Sequence, residues 1–347
     1  MWLTSSSVGR KFIMALTGAC LVLFVTFHCV MNAIAICWPA AYNVICEFLG
    51  ANWYALVASA GLALLFIIHI IYALWLTMLN RKARGNVRYN VVKPAPGVEW
   101  SSKNMLVLGI VVLAFLVVHL IQFWAKMQLV EIRGAETQIP PQAGTLFIQE
   151  AFSLIWTPIV YIIGFVALWF HFNHGFWSMF QSVGWNNDRW IVRLKKISCW
   201  WTTIVVLLFV AQAVVFTVKA NENFYKEDPQ LQKQYVDMIM TEMGFGSSMQ
   251  NIEYADLANV AKQLAVMQPA EIQQMQQMGQ LPFSPEQVDV MVNFVTYMEG
   301  DGVKAEIEQL RQQRDQQMQQ MQQMQMQMPA QQEAPVQQLP TDSNINQ

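Results

Sequence analysis

Phe170-His171-Phe172-Asn173-His174-Gly175-Phe176-Trp177 lies inside an apolar segment, residues 151–181, that holds no Asp, Glu, Lys or Arg. The hydrocarbon layer of a bilayer is about 30 Å thick and takes about 20 apolar helical residues to cross. The segment is long enough to do so. Ionisable side chains at membrane depth are costly and mark function, so two histidines here need a reason. The chain has five histidines, His28, His69, His119, His171 and His174. Each lies in an apolar segment, and none lies in a loop or in the polar C-terminal part.

Four further apolar segments flank this one. Residues 12–37 contain His28, residues 53–79 contain His69, residues 104–126 contain His119, and residues 197–218 contain no histidine. The expected fold is all-α: an integral membrane bundle of five transmembrane helices over residues 1–220, with a polar, partly helical C-terminal tail. The composition changes sharply near residue 219, from Trp- and Phe-rich to Gln- and Met-rich. Residues 221–328 read as a helical extension, interrupted at Pro269, Pro282 and Pro285. Residues 329–347 read as a disordered tail by composition. The methionines of the extension are interleaved with Gln at helical spacing, which reads as a soft interaction surface rather than a copper site. The first apolar run, about 25 residues after Arg10-Lys11, is too long for a signal peptide and lacks a small-residue exit, so it reads as a retained span.

Orientation follows from the basic residues. The N-terminal head and the four loops carry 2, 0, 6, 2 and 4 Lys and Arg in order. Rich and poor segments alternate, as the positive-inside rule requires. The N-terminus is then cytoplasmic and the tail lies on the opposite, periplasmic side. Trp38, Trp53, Trp124 and Trp156 fall at the outer interface, and Trp75, Trp185, Trp190, Trp200 and Trp201 at the inner one. The five cysteines show no CxxC or CxxCH spacing, which argues against zinc, thioredoxin-like and covalent c-type haem sites. They read as small apolar residues, with Cys37 and Cys46 near one face.

Depth pairs the histidines. His28 lies ten residues before Trp38 and His119 seven before Lys126, so both are in the outer half. His69 is 16 residues into its span and His174 lies 24 after Glu150, so both are in the inner half. Two imidazoles facing each other at one depth are what an axially bis-ligated haem needs, and two such layers make an electron path across the bilayer. Without CxxCH the haems are non-covalent, two haem b. His171, three residues before His174, shares its face, and either could ligate. Depth favours His174, with His171 as a neighbour to a propionate or backbone group. A lone histidine in a span is often only a helix–helix contact; four on four helices, matched in depth, are harder to explain that way.

Several stretches resemble the five-helix, two-haem cytochrome b subunit of succinate dehydrogenase and fumarate reductase. They are Ser6-Ser7-Val8-Gly9-Arg10-Lys11; Leu16-Thr17-Gly18 leading to His28 and Asn32; Arg81-Lys82-Ala83-Arg84 through Arg88-Tyr89; His119 through Trp124; and His171-Phe172-Asn173-His174-Gly175 with Phe180-Gln181 and Gly184-Trp185. The resemblance covers residues 1–220. It implies a bacterial inner-membrane anchor in a respiratory complex. His28 and His119 would hold the haem distal to the catalytic subunits, and His69 and His174 the proximal one. A flavoprotein and an iron–sulfur subunit would dock on the cytoplasmic face against basic loops 80–103 and 183–196. Electrons would pass to or from menaquinone bound near the distal haem. Quinol oxidation releases protons, so a nearby base is useful. Glu47, the only acid of the first outer loop, is the candidate quinone-site residue. The chain would be an oxidoreductase subunit limited to electron transfer and the quinone site. The tail has no counterpart in the family pattern. Two other readings fit the histidines less closely: a different two-haem cytochrome b, such as the anchor of a hydrogenase or formate dehydrogenase or a b561-like shuttle, and a non-redox membrane scaffold. The charge pattern points to no nucleic acid.

Overall fold

A computed structural model describes residues 6–85, 99–134, 138–185, 187–249 and 251–327. The basic residues Arg88 and Lys93, the Arg88-Tyr89 stretch, Glu136 and the 329–347 tail lie outside them. The described residues are all-α, with no strand among them. Five helices are long and apolar enough to cross a membrane: α1 (Ser7–Cys37), α3 (Trp53–Arg84), α4 (Trp100–His119, continued by a π-helical turn to Trp124), α7 (Trp156–Ser182) and α8 (Asp188–Asn221). The protein is a multi-pass membrane protein.

Local chemistry sets the helix ends. Ser6 caps α1 by accepting from the Gly9 amide at 2.9 Å, and Asn187 caps α8 by accepting from Trp190 at 2.9 Å, the usual role of short polar side chains there. Arg81, Lys82 and Arg84 close α3, where cations complement the helix dipole. Gly85 follows at φ 72°, a conformation glycine adopts without steric cost. The segment between the first two spans, expected to be a loop, is helix α2 (Pro39–Ala51), with Pro39 in its first turn, where its missing N–H costs nothing. The fourth span does not begin at 151. The short helix α6 (Gly144–Phe152) ends, and α7 restarts at Trp156. Pro158 explains the break: it cannot donate to the Leu154 carbonyl, and its ring crowds that position.

Helix α7 packs against α8, α4 and α1 and forms the centre of the bundle. Small residues permit the close approaches. A Cβ at Gly164 of α7 would lie 2.5 Å from Phe115 of α4. Polar bonds also join the helices: Ser198 donates to the Asn173 carbonyl at 2.5 Å, and Gln212 donates to the Cys29 carbonyl at 2.9 Å. Such bonds matter where helix association gains little from the hydrophobic effect. Helix α3 buries no residue and lies at the lipid-facing periphery. All five cysteines are free.

The chain divides into two compact units, residues 1–258 and 259–347. The first unit extends beyond the spans. Helices α9 (Phe224–Glu227) and α10 (Pro229–Glu242) fold back onto α2 and α6. The Tyr235 hydroxyl donates to the Tyr225 carbonyl at 2.9 Å and lies 2.7 Å from Thr145 Oγ1. Asn43 accepts from Thr145 and donates to Gln234 at 3.0 Å. Tyr235, Thr145 and Asn43 are fully buried. The second unit includes α12 (Pro269–Gln277), α13 (Pro285–Glu299) and α14 (Gly302–Gln327). The extension is interrupted before Pro269 and Pro285, as its sequence indicates, and each proline sits in the first turn of the helix that follows. Ile272, Val288, Met291, Phe294, Val295 and Ile307 form its core, with Arg314 paired to Glu271 and Lys262 to Glu299.

Candidate functional site

The histidines meet in two pairs. His28 of α1 and His119 of α4 have ring centroids 5.7 Å apart, edge to face. Phe24 stacks on His28 and Phe115 on His119. His69 of α3 and His171 of α7 have centroids 6.4 Å apart. His174, favoured by depth and by the resemblance, points elsewhere: its ring lies against Trp177, and its Nδ1 is 3.6 Å from Glu99 Oε2. Lys195 salt-bridges the other Glu99 oxygen at 2.8 Å and lies over the Trp177 ring. Burial pushes the Glu99 carboxyl up, and the Lys195 ammonium more than reverses this, holding it below the ordinary glutamate range. Thus the alternative left open by sequence, His171, is the residue facing His69.

Three helices measure the separation of the pairs. On α1, Thr17 touches His69 eleven residues before His28; on α4, Gly109 faces His171 ten residues before His119; on α7, Tyr161 touches His119 ten residues before His171. At 1.5 Å per residue these give about 15–17 Å. The pairs are therefore separate layers of one bundle.

Hydrogen bonds assign the ring nitrogens. The Tyr161 hydroxyl donates to Gln122 Oε1 at 3.0 Å, so the His119 Nδ1–H, 3.1 Å away, donates to it. The Thr17 hydroxyl has one hydrogen and lies near two carbonyls that only accept, Ile13 and Met14. Its oxygen is therefore the acceptor for His69 Nδ1 at 3.2 Å. In both rings Nε2 keeps its lone pair, the arrangement that orients a metal-ligating imidazole. His171 Nδ1 and His174 Nδ1 are both buried with no hydrogen-bond partner. Asn32 Nδ2 donates to the His28 carbonyl at 2.8 Å and contacts His28 Nε2 at 3.3 Å; the longer bond is the one a stronger partner would displace. Asn32 is itself held by the Tyr42 hydroxyl at 3.1 Å.

These residues fit a haem better than a bare ion. Among the described residues no group of three or more His, Cys, Asp or Glu side chains is placed to hold a metal. The histidines come in twos, and two imidazoles suffice only when a macrocycle supplies the remaining donors. Two metal–imidazole bonds of about 2 Å, with about 1 Å more from each nitrogen to its ring centre, give about 6 Å between centroids, near the observed 5.7 and 6.4 Å. Gly18 and Gly109 put bare backbone beside the inner pair: a Cβ at Gly18 would stand 3.7 Å from His69, and one at Gly109 would stand 3.5 Å from His171. Glu47 is exposed on α2. Sequence reasoning missed Thr17 and Tyr161 as partners of His69 and His119, and Gln122 as the partner of Tyr161; their polarity inside apolar spans was a signal for them.

Comparison with models of known protein families, with characterised proteins and with solved structures finds no match to this chain.

Proposed function

We propose that this chain is the haem-bearing membrane subunit of a quinone-linked respiratory oxidoreductase of the succinate dehydrogenase/fumarate reductase type. The observation that carries the proposal is the two layers of paired imidazoles, about 15 Å apart in one bundle. The sequence resemblance supplies the choice of complex. The proposed ligands are His28 and His119 in one layer and His69 with His171 in the other. A haem b in each layer supplies an iron that changes charge by one electron at fixed ligation.

The chain's own residues do the rest. Thr17 and Tyr161 hold the two Nδ1–H groups and keep the imidazole planes from turning. Apolar helices exclude water around both layers. Glu99, Lys195 and His174 form a charged group beside the inner layer, at the end of the bundle that carries the basic loops. By the positive-inside rule that end faces the cytoplasm, and an iron–sulfur subunit with its flavoprotein partner docks there. Menaquinone exchanges electrons at the opposite end.

The test is a reduced-minus-oxidised optical spectrum of the purified chain with haem quantified. Two b-type haems per chain are expected, with flavin and iron–sulfur subunits in the native complex. A chain produced with haem available that binds none overturns the reading.

A further inference from the structure

Helix α14 runs on past the core it helps to form. Val303 and Ile307 are buried in the second unit, and Arg314 is held by Glu271. From Asp315 to Met321 every residue is exposed. Residues 316–327 are eight Gln and four Met, with no charge among them. A helical stretch of about this length is marginal in water without tertiary support.

The exposed part is not polar all round. At about 100° per residue, Val303, Ile307, Leu310, Met318 and Met321 fall within an arc of about 80°. The stripe that anchors α14 in its unit therefore continues beyond the last buried residue. There Met318 is 41% and Met321 55% exposed. The sequence carries the three-residue interval on to Met324. Side chains three apart form a ridge along a helix, and such a ridge fits the groove of a facing helix.

We propose that this ridge pairs with α14 of a second copy of the chain, parallel and in register, so that the protein is a homodimer through its C-terminal unit. The proposal is independent of the histidine layers. Three observations select a second copy as the occupant. First, the surface is complementary to itself. A Gln amide both donates and accepts, and the flexible thioether of Met packs well against its own kind. Gln317 lies on the same arc, so in register it meets the Gln317 of the partner subunit, donor to acceptor.

Second, residues 316–327 have no charge to attract a nucleic acid, an anionic membrane surface or a charged protein, and none to repel an identical helix. Asp315 lies about 120° round the helix from Met321, outside the contact. Third, copies of a membrane protein inserted in one bilayer carry this helix on the same side. They meet there at high effective concentration. The contact from Leu310 to Met321 is roughly 17 Å long, a short seam that suits association already concentrated by the bilayer.

The experiment uses the full-length chain in liposomes at high lipid dilution. A photoactivated benzophenone side chain replaces Gln317, on the ridge, or Gln319, about 160° round the helix from Met321. Illumination is expected to give a product of twice the chain mass from position 317, linked to residues 314–321 of the other copy, and little from position 319. Met318→Gln/Met321→Gln keeps a similar helix propensity and removes the ridge. It should lower the yield at least about tenfold. Met318→Leu/Met321→Leu should keep the wild-type yield, which separates loss of apolar contact from loss of a specific side chain. Equal yields from the two positions, an undiminished product in the Gln variant, or loss in the Leu variant overturns the proposal. A link confined to one chain or to lipid, or a product of three or more chains, also overturns it.

Discussion

His171 and His174 are one helical turn apart, yet their surroundings differ in kind. His171 faces His69, with Gly18 and Gly109 beside the two rings. His174 has a carboxylate and an indole beside it. The expectation is therefore asymmetric. His171→Ala should remove one of two haems, halving the α-band, while His174→Ala should keep both and alter only their potential or spectrum. The reverse outcome in a reduced-minus-oxidised spectrum would assign the ligand to His174. Depth counting favoured His174, but residues three apart differ by only about 4.5 Å along the axis, too little to decide between them. Direction around the axis, set by packing against α3 and α4, separates them.

At the scale of elements, length and apolarity made the five spans legible, and their interruptions were not. Span 104–126 reads as continuous helix, but a π-helical turn at Leu120–Trp124 re-aims Gln122 into the bundle. Nothing in that stretch alone demands it; the partners Thr157 and Tyr161 are on α7. The break before α7 was missed in the same way, although Pro158 carries the signal for it. Packing between α4 and α7 depends on Gly164. A methyl there meets the rigid base of the Phe115 ring at 2.5–2.9 Å. Gly164→Ala should destabilise the bundle by about 1–3 kcal/mol, the cost of an overpacked core, seen as a lower denaturant midpoint in detergent. An unchanged midpoint would mean that α4 and α7 can separate without loss.

For the whole molecule, the change of composition near residue 219 is not where the first compact unit ends. Residues 224–249 are polar by composition but carry Tyr225, Leu231, Tyr235, Val236 and Ile239 at helical spacing, and these are buried. Through Tyr235, Thr145, Asn43 and Gln234 they tie α10 to α2 and α6. A chain ending at Glu253 should fold with its full haem complement. A chain ending at Asn223 should lose thermal stability and uncover α2 and α6, detectable by faster proteolysis in that region. Equal stability of the two truncations would make α10 a dispensable appendage.

Composition and spacing by themselves determined that this chain is an all-α membrane protein, that it crosses five times, and that its histidines lie at two depths. Those properties follow from the thickness of a bilayer and the fixed rise of a helix, which need no tertiary contact to be read. Only the tertiary structure decided which histidines face each other and which ring nitrogens are held. Those depend on the rotation of each helix about its axis, and rotation is set by side chains that meet from segments far apart in the sequence: Thr17 with His69, Tyr161 with His119, Gly109 with His171.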